Sequence, residues 1–556
     1  MATRRRTGVS WSVMGGQKQR SCPDGHSRCP EHEPGVRRFG RGALRIAAWT
    51  LVSRVLGLVR DRFMVGLFGR GMEFGAFSLA WTVPNVFRRL LGEGALTAAF
   101  VPVLTRRIDS EGIEGARRSF AAIVGGLTAL LLIIVGGLLC LLGLIPVEWF
   151  ASNAGGDERY PQLLRSLLFI LLPYLIPVSL MTLSAAAQNV TGRFALPAAA
   201  PALLNAVWIA GVVWAGTGEA DADQRVILVG IVVLCGGFLQ LLLQLPGLVQ
   251  SGLLVCPRLA LADPDLREIV RTMAPIVLGL SVVQLNVLAT QFLAAFLVDP
   301  GAPGVLYLGN RLLEFPHALL GVALGTAVFP LLTLLGSRDD HVELARILRR
   351  TLANGLFLAI PAAAGLFVMA PWLAEVLFVT GRFSAEAGSE TTVVTRIMCL
   401  GLPGLIAVQL LARAFYAMGD LRTPVRIAVV LLVVVQGINI GLAPVLGTAG
   451  LACSSAVGAN ANALLLFFLL RPRLGPAEGG ALAGTLLRSV LATVPTAIVA
   501  LALVTWLGGM FPVGTSLALR LPLVLVVPGA AGVVTFLVTA RLLGATELAE
   551  LRRARK

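Results

Sequence analysis

Lysine is nearly missing from this chain of 556 residues: Lys18 and Lys556 are the only two, and neither follows a glycine. That excludes a G-x4-G-K-[ST] phosphate loop, and with it a nucleotide-driven motor of that kind within the chain. Histidine numbers four, and the apolar segments hold no H-E-x-x-H motif and no His/Cys cluster, so an intramembrane metal hydrolase has no support. Charged residues make up 14% of the chain, against about 25% in soluble domains, which excludes a soluble enzyme. Seven cysteines build no disulfide framework, since Cys140, Cys235, Cys399 and Cys453 lie in apolar runs as small packing residues. Cys22, His26, Cys29 and His32 give a spacing that fits no standard zinc module, so no metal site is expected.

Hydrocarbon is what the chain has in plenty. Hydrophobic residues reach 56% and mean hydropathy is +0.83. A bilayer crossing needs about 20 apolar residues, and such segments recur fourteen times, near 43–68, 74–104, 120–145, 163–187, 195–216, 225–247, 271–298, 304–335, 348–370, 391–417, 424–444, 448–470, 485–508 and 517–542. The class is an all-α polytopic membrane protein with 14 transmembrane helices.

The net charge of +16 does not point to nucleic acid, because the arginines gather at the termini and in every second loop. RRIDSEGIEGARR (106–118), PRLALADPDLREIVR (257–271), SRDDHVELARILRR (337–350), DLRTPVR (420–426) and RPRLG (471–475) are arginine-rich. SNAGGDERY (152–160), GTGEADADQ (216–224), VDPGAPG (298–304) and SAEAGSE (384–390) are acidic or neutral. The positive-inside rule then puts both termini in the cytoplasm, which agrees with an even number of spans. Residues 1–42 have no h-region and read as a disordered basic cytoplasmic tail, not a cleavable signal peptide.

Two pairs of segments suggest duplication. GALTAAFVPVLT (94–105) aligns with VALGTAVFPLLT (322–333) at an offset of 228, and TGRFALP (191–197) aligns with MGDLRTP (418–424) at 227. Six spans separate the copies, so they share one orientation. Transporters built from such parallel repeats hold cargo between their halves. The expected organisation is a first lobe at 43–247, a cytoplasmic linker at 248–270, a second lobe at 271–471, two further helices within 472–543, and a basic cytoplasmic tail at 544–556.

Charges inside the spans mark the candidate site. Counted from Leu44, Arg54 lies about 15 Å along the first helix and Arg60 about 24 Å. A central arginine costs about 2.5–3.5 kcal/mol on insertion scales. Arg54, Leu58 and Asp61 share a helix face, with Arg60 about 120° away from Arg54. Arg45 and Arg62 sit where snorkelling serves them. An Arg54–Asp61 or Arg60–Asp61 pair that locks helices is the plain structural alternative. The second segment adds Arg88, Arg89 and Glu93, with Pro84, Gly92, Gly94 and Pro102 able to bend it. Its repeat counterpart adds Arg311, Glu314 and His317, the last read as a packing residue. Arginines outnumber acids there, and a positive surplus at a cavity suits an anion. Guanidinium suits phosphate in particular, since its planar fork binds two oxygens and stays charged. Gln436, Asn460 and Asn462 read as polar glue between later spans.

SRVLGLVRD (53–61), VPNVFRRLLGEGALTAAFVPVL (83–104) and NRLLEFPHALLGVALGTAVFPLL (310–332) closely resemble the MurJ (MviN) family of lipid II flippases, in the MOP exporter superfamily, and FLQLLLQLPGL (238–248) and the TP of DLRTPVRIA (420–428) do so too. The resemblance runs from about residue 44 to the end. It implies two six-helix lobes around a cationic cavity, with the last two helices forming a groove for the lipid tail. The activity implied is no catalysis, but transfer of lipid II, an undecaprenyl-pyrophosphate-linked disaccharide peptide, from the inner to the outer leaflet of the bacterial cytoplasmic (inner) membrane by alternating access. Arg54, Arg60, Arg88 and Arg311 stand at the family's cavity arginines, and Glu93 at its E-G-A glutamate. Asp61, Arg89, Asn310 and Glu314 are expected to support or gate. No cofactor is implied beyond a coupling ion, sodium or proton, left open. Partners would be lipid II, membrane lipids and cell-wall synthesis proteins, with no nucleic acid. Charge alone also accommodates another undecaprenyl-pyrophosphate-linked oligosaccharide as cargo, whereas a cation-exporting drug antiporter needs the opposite sign, and a non-transporting scaffold would use the arginines for helix pairing. The chain departs from the family in GRGMEFGAF (69–77), where Gly75 takes the place of an Asp and Glu73 is the nearest acid. Asn310 likewise replaces an acid before Arg311. Both changes make the cavity more positive.

Overall fold

A computed structural model describes residues 34–90, 96–146, 158–338, 340–474, 479–511, 515–545 and 547–548. Glu93, the cysteines and histidines of positions 22–32, and most of the two terminal tails lie outside them. The chain divides into a unit of Met1–Leu44 and a unit of Arg45–Lys556, and everything below concerns the second.

The described residues hold helices and no strand. In chain order these are α1 Pro34–Phe68, α2 Met72–Arg88, α3 Thr97–Leu144, α4 Arg159–Leu171, α5 Leu175–Val190, α6 Ala195–Thr217, α7 Ala222–Gln250, α8 Pro264–Leu293, α9 Ala302–His317 and α10 Ala323–Ser337. There follow α11 His341–Phe378, α12 Ala385–Cys399, α13 Leu402–Ala417, α14 Arg422–Leu470, α15 Gly479–Met510, α16 Leu517–Arg520 and α17 Val527–Leu542. Starts fall where the sequence offers an oxygen to the orphan amides: Asp221, Asp340 and Ser384 accept from the backbone N–H three residues on.

Among the described residues, ten helical runs are long and apolar enough to cross a membrane, and α12 with α13, bent by 41°, make an eleventh. Among the described residues, each of the fourteen sequence segments lies mainly on helix. The lower figure arises because α14 carries two segments joined at a kink at Gly447, while α2 is 17 residues long and α1 crowds four charges into Arg54–Arg62. The expected loop 106–118 is instead helical within α3, interrupted only at Gly112 (φ +69°). Its arginines hold it to its own and neighbouring acids: Arg107 donates to Asp265 at 2.6 Å and pairs with Glu111, and Arg106 donates to Glu268 at 2.7 Å. Outward faces are apolar, with Ile133, Leu278 and Val433 about 70% exposed, as a chain solvated by lipid requires.

The duplication is visible in backbone geometry. After α5, Gly192 has φ +77° and Arg193 N donates to Gln188 O at 2.9 Å; after α13, Gly419 has φ +76° and Asp420 N donates to Phe415 O at 2.9 Å. These are the same glycine-dependent Schellman turn, 227 residues apart. The helix break repeats too: π-type turns occur at Arg89–Leu90 and at Ala318–Val322, and Pro102 and Pro330 lie inside the helices that follow.

Asp420 also caps the first turn of α14, accepting from Arg422 N, Thr423 N and Thr423 Oγ1, and takes a 2.6 Å bond from Arg473. Burial alone would raise this carboxyl, but the bonds from Thr423 and Arg473 outweigh it and hold it at about 2. Its stabilising contribution is therefore present above the ordinary carboxylate range and lost as pH falls through about 2. Asp420→Ala is expected to cost about 0.5–2 kcal/mol, read as a lower melting temperature at pH 7 and, undiminished, at pH 5.

One buried core lies in the first half (Phe100, Phe120, Leu183, Ala187), joined by Ile269 and Met273 of α8. Two others lie in the second half, around Val305, Leu313 and Ile406 and around Leu348, Leu410 and Phe415. A fourth crosses between halves, packing Phe68, Phe77, Trp81 and Trp208 with Leu308, Leu312, Phe378 and Phe383. The last helices pack on α11, with Phe357 and Phe536 ring centroids 5.0 Å apart and Val504 and Val524 against Val376.

Candidate functional site

Asp61 is the hub of the site. It is 2% exposed and holds two arginines at once. Arg60 donates through Nε (2.9 Å) and Nη2 (2.6 Å) to Asp61 Oδ1, while Arg311 Nε of α9 donates to Oδ2 at 3.0 Å. The Tyr307 hydroxyl, one turn before Arg311, accepts from Arg60 Nη2 at 2.6 Å and donates to Asp61 Oδ1 at 3.1 Å. Arg60 Nη1 donates to Asn205 Oδ1 of α6 at 3.1 Å, and its guanidinium stacks 4.2 Å from the centroid of the Trp208 ring. Arg60 is thus buried with its donors engaged and serves as an anchor of α1 in this state. Of the two pairings the sequence left open, Arg60–Asp61 forms.

The remaining arginines are more accessible. Arg54 is exposed, and among the described residues it makes no hydrogen bond or ion pair. Arg88 lies half-buried and donates to Asn85 Oδ1 at 2.9 Å. Glu314 is shared: Arg311 Nη1 donates to Oε2 at 3.2 Å and Arg89 Nη2 to Oε1 at 3.1 Å. Asn310 is exposed beside Arg311. Among the described residues Arg60, Arg89 and Arg311 therefore share two carboxylates, Asp61 and Glu314, while Arg54 stands one turn before Gly57, against which Arg311 lies. The surplus sits on α1 and on two helices broken by equivalent π-turns. Such a site can take an anion by exchange, with the anion's oxygens replacing a carboxylate on Arg311.

Glu73, the acid nearest Gly75, does not belong to this cluster. Glu73 lies in the first turn of α2, 3.5 Å from Arg159, and does not substitute for a cavity acid. Gly75 faces the opposite half: a Cβ there would stand 1.8 Å from Pro300 O. Arg62, read as a snorkelling residue, instead donates to Val376 O (2.7 Å) and Leu377 O (3.0 Å) at the end of α11. Arg520 reaches the same helix end, donating to Glu375 Oε1 at 2.5 Å. His317 is half-buried, and among the described residues its Nε2 has no hydrogen-bond partner.

Sequence reading missed two groups of residues. Tyr307, Asn205 and Trp208 come from helices remote in sequence, and nothing in the spacing marks them. An ion-pair knot at the acidic-loop end also escaped: Arg70 donates to both oxygens of Asp299 (3.1 and 2.7 Å) and to Glu390, which also accepts from Thr448 Oγ1 at 2.9 Å. Arg382 N donates to Gly66 O at 3.0 Å beside it. This knot ties the α1–α2 turn to the second half, and Arg70→Ala is expected to loosen it. The check is thermal unfolding of the purified protein, whose midpoint Arg70→Ala should lower. In the second half, Gln436 donates to Asn286 Oδ1 (2.7 Å) and Asn439 to Thr290 Oγ1 (3.2 Å), a neutral amide and hydroxyl cluster that joins α8 to α14. No group of three or more His, Cys, Asp or Glu able to hold a metal occurs among the described residues.

The fold matches solved transporters. A structure described as lipid II flippase MurJ in an inward closed conformation superposes with a TM-score of 0.71, covering 89% of this chain and 98% of that one at 20% identity. An inward-facing MATE family transporter of the MOP superfamily gives 0.61 over 80% of this chain and 99% of that one, at 15% identity. The class is therefore a polytopic helical membrane protein with the fold of the MOP transporters. Residues 64–521 match the family model "Lipid II flippase MurJ". The lipid II flippase MurJ of Burkholderia cenocepacia is 35% identical over 444 residues, 78% of this chain and 84% of that protein. The probable lipid II flippase MurJ of Haemophilus influenzae is 35% identical over 432 residues, 75% and 83% respectively. The chain belongs to the MurJ family.

Proposed function

We propose that this protein flips lipid II from the inner to the outer leaflet of the bacterial cytoplasmic membrane by alternating access of its two halves, with both termini in the cytoplasm and no bond made or broken. The observation that carries the reading is the surplus of guanidinium groups around Arg311. Arg54, Arg88 and Arg311 receive the pyrophosphate, with Arg60 and Asp61 holding Arg311 in position. Sugars and peptide cross between the halves while the polyprenyl tail stays in lipid beside α15–α17. Family membership favours lipid II over other polyprenyl-pyrophosphate cargoes. Membrane potential or an ion gradient supplies the energy, since the chain carries no phosphate loop.

The test is complementation of a depletion strain with Arg54→Ala, Arg88→Ala and Arg311→Ala. A lost charge-assisted bond is worth about 1.5–3 kcal/mol, so each change is expected to weaken cargo binding roughly tenfold or more, with Arg311→Ala the most severe. Lipid II should then stay inaccessible to an externally added modifying enzyme. Normal growth and normal accessibility in all three variants, at normal protein level, would overturn the reading.

A further inference from the structure

Arg413 stands outside the cluster around Asp61 and has no acid of its own. It lies on α13, one turn before the helix ends at Ala417, and its guanidinium packs against α10. The guanidinium carbon is 5.9 Å from the Phe329 ring centroid. Nη1 nests against Gly325, where a Cβ would come within 2.3 Å of it. Among the described residues that buried nitrogen has no hydrogen-bond partner and Arg413 makes no ion pair. An arginine carries five donors and no acceptor, so a buried N–H left unbonded is costly. An oxyanion is the missing group.

The surroundings show where it would come from. Gln409, Arg413 and Tyr416, at i, i+4 and i+7, form an accessible polar stripe on α13, while Leu410, Leu411, Ala414 and Phe415 are buried on its other side. On α10, Thr326, Phe329 and Thr333 form an exposed stripe at i, i+3 and i+7. α10 continues α9 beyond the π-turn, so Gly325 lies 14 residues past Arg311, or about 21 Å at helical rise. Each peptide residue spans at most about 3.5 Å, so a few residues with the intervening sugars bridge that distance.

We infer that Arg413 is a second anion-binding point on the cargo path and that it receives a carboxylate of the cargo's peptide. The inference rests on the lipid-linked-peptide reading above. The pyrophosphate would anchor at Arg311 while the far end of the headgroup is held by a fork on α13, so that the headgroup lies extended along α9 and α10. A phospholipid phosphate is the competing source of an oxyanion, since α13 ends close by.

The experiment measures binding to the purified full-length protein in nanodiscs with three probes: the polyprenyl-pyrophosphate disaccharide with a carboxylate-bearing peptide, the same molecule with its carboxyls amidated, and undecaprenyl pyrophosphate alone. On the native chain the amidated probe should bind about tenfold more weakly than the carboxylate probe, an arm that needs no variant. Arg413→Gln should weaken the carboxylate probe about tenfold and change the other two less than twofold, while Arg413→Lys keeps the charge and loses about threefold. Arg311→Ala should weaken all three. If amidation and Arg413→Gln leave binding unchanged while Arg311→Ala weakens every probe, the inference fails and the transport reading stands. If Arg413→Gln weakens the amidated probe equally, the ligand is not the peptide carboxylate and the inference fails. If Arg311→Ala changes none, the underlying reading fails instead.

Discussion

Asp61→Leu is expected to leave the protein scarce and inactive, with a loss of about 3–5 kcal/mol of stability. The reason is arithmetic of charge in a dry place. One carboxylate, 2% exposed, neutralises Arg60 and Arg311 and also takes the Tyr307 hydroxyl. Removing it strands the buried Arg60 without a carboxylate and leaves Arg311 only Glu314, in a medium that solvates guanidinium badly. Asp61→Asn keeps an acceptor oxygen but not the charge, and should fall between. Replacing the whole buried pair, Arg60→Met with Asp61→Leu, should recover much of the melting temperature, because apolar groups substitute well for buried ion pairs. It should not recover transport, because Arg311 then keeps only Glu314 and loses the Nε bond that fixes its position against α1. Thermal unfolding and lipid II export, measured on the same preparations, separate the two effects. A native melting temperature in Asp61→Leu would contradict this account.

Restoring the family's acid at position 75 is expected to do harm, not good. Any side chain at Gly75 begins with a Cβ that would lie 1.8 Å from Pro300 O and 3.0 Å from Gly301 Cα, and backbone atoms do not yield as side-chain tips do. Overpacking usually costs about 1–3 kcal/mol, and here it falls on the seam between the two halves. Gly75→Asp should hold the acidic-loop end ajar, spoil the Arg70 knot and lower export at least tenfold. Gly75→Ala should do the same more weakly. In a cysteine-free background, a single cysteine at Phe77, buried in that seam, should become reactive to a membrane-impermeant thiol reagent only when Gly75 is replaced. Full export by Gly75→Asp would show that the seam need not close.

The fold was largely legible because its signals are local. Apolar runs of bilayer length, arginine on alternate loops, and two glycine–proline turns at matching offsets need no tertiary knowledge. That Arg54, Arg88 and Arg311 lie on otherwise apolar helices was equally plain. What stayed hidden was who meets whom. Arg60 and Asp61 diverge by 100° on an ideal helix, yet the long arginine side chain folds back to its neighbour, a reach that Cβ directions do not express. Tyr307 joins them from 246 residues away. The departure at Gly75 was visible as a missing acid, but its cause is a close backbone approach by Pro300, which no residue pattern records. The loop at 106–118 was misjudged for a related reason: its charges suggested solvent, and they are spent on Asp265 and Glu268 of a distant helix.

The end of α11 deserves a mechanical reading. Three consecutive residues there are gripped from opposite sides, Val376 and Leu377 by Arg62 of the first helix and Glu375 by Arg520 of the penultimate one. Arg520 in turn holds Phe511 O, so the grip extends to the end of α15. The C-terminal helices are thus geared to α1 through one helix terminus. A tilt of α1 must therefore also pull on α15 and α16. On the transport reading proposed above, headgroup and tail would then advance in step, with a three-residue coupling acting as the crankpin.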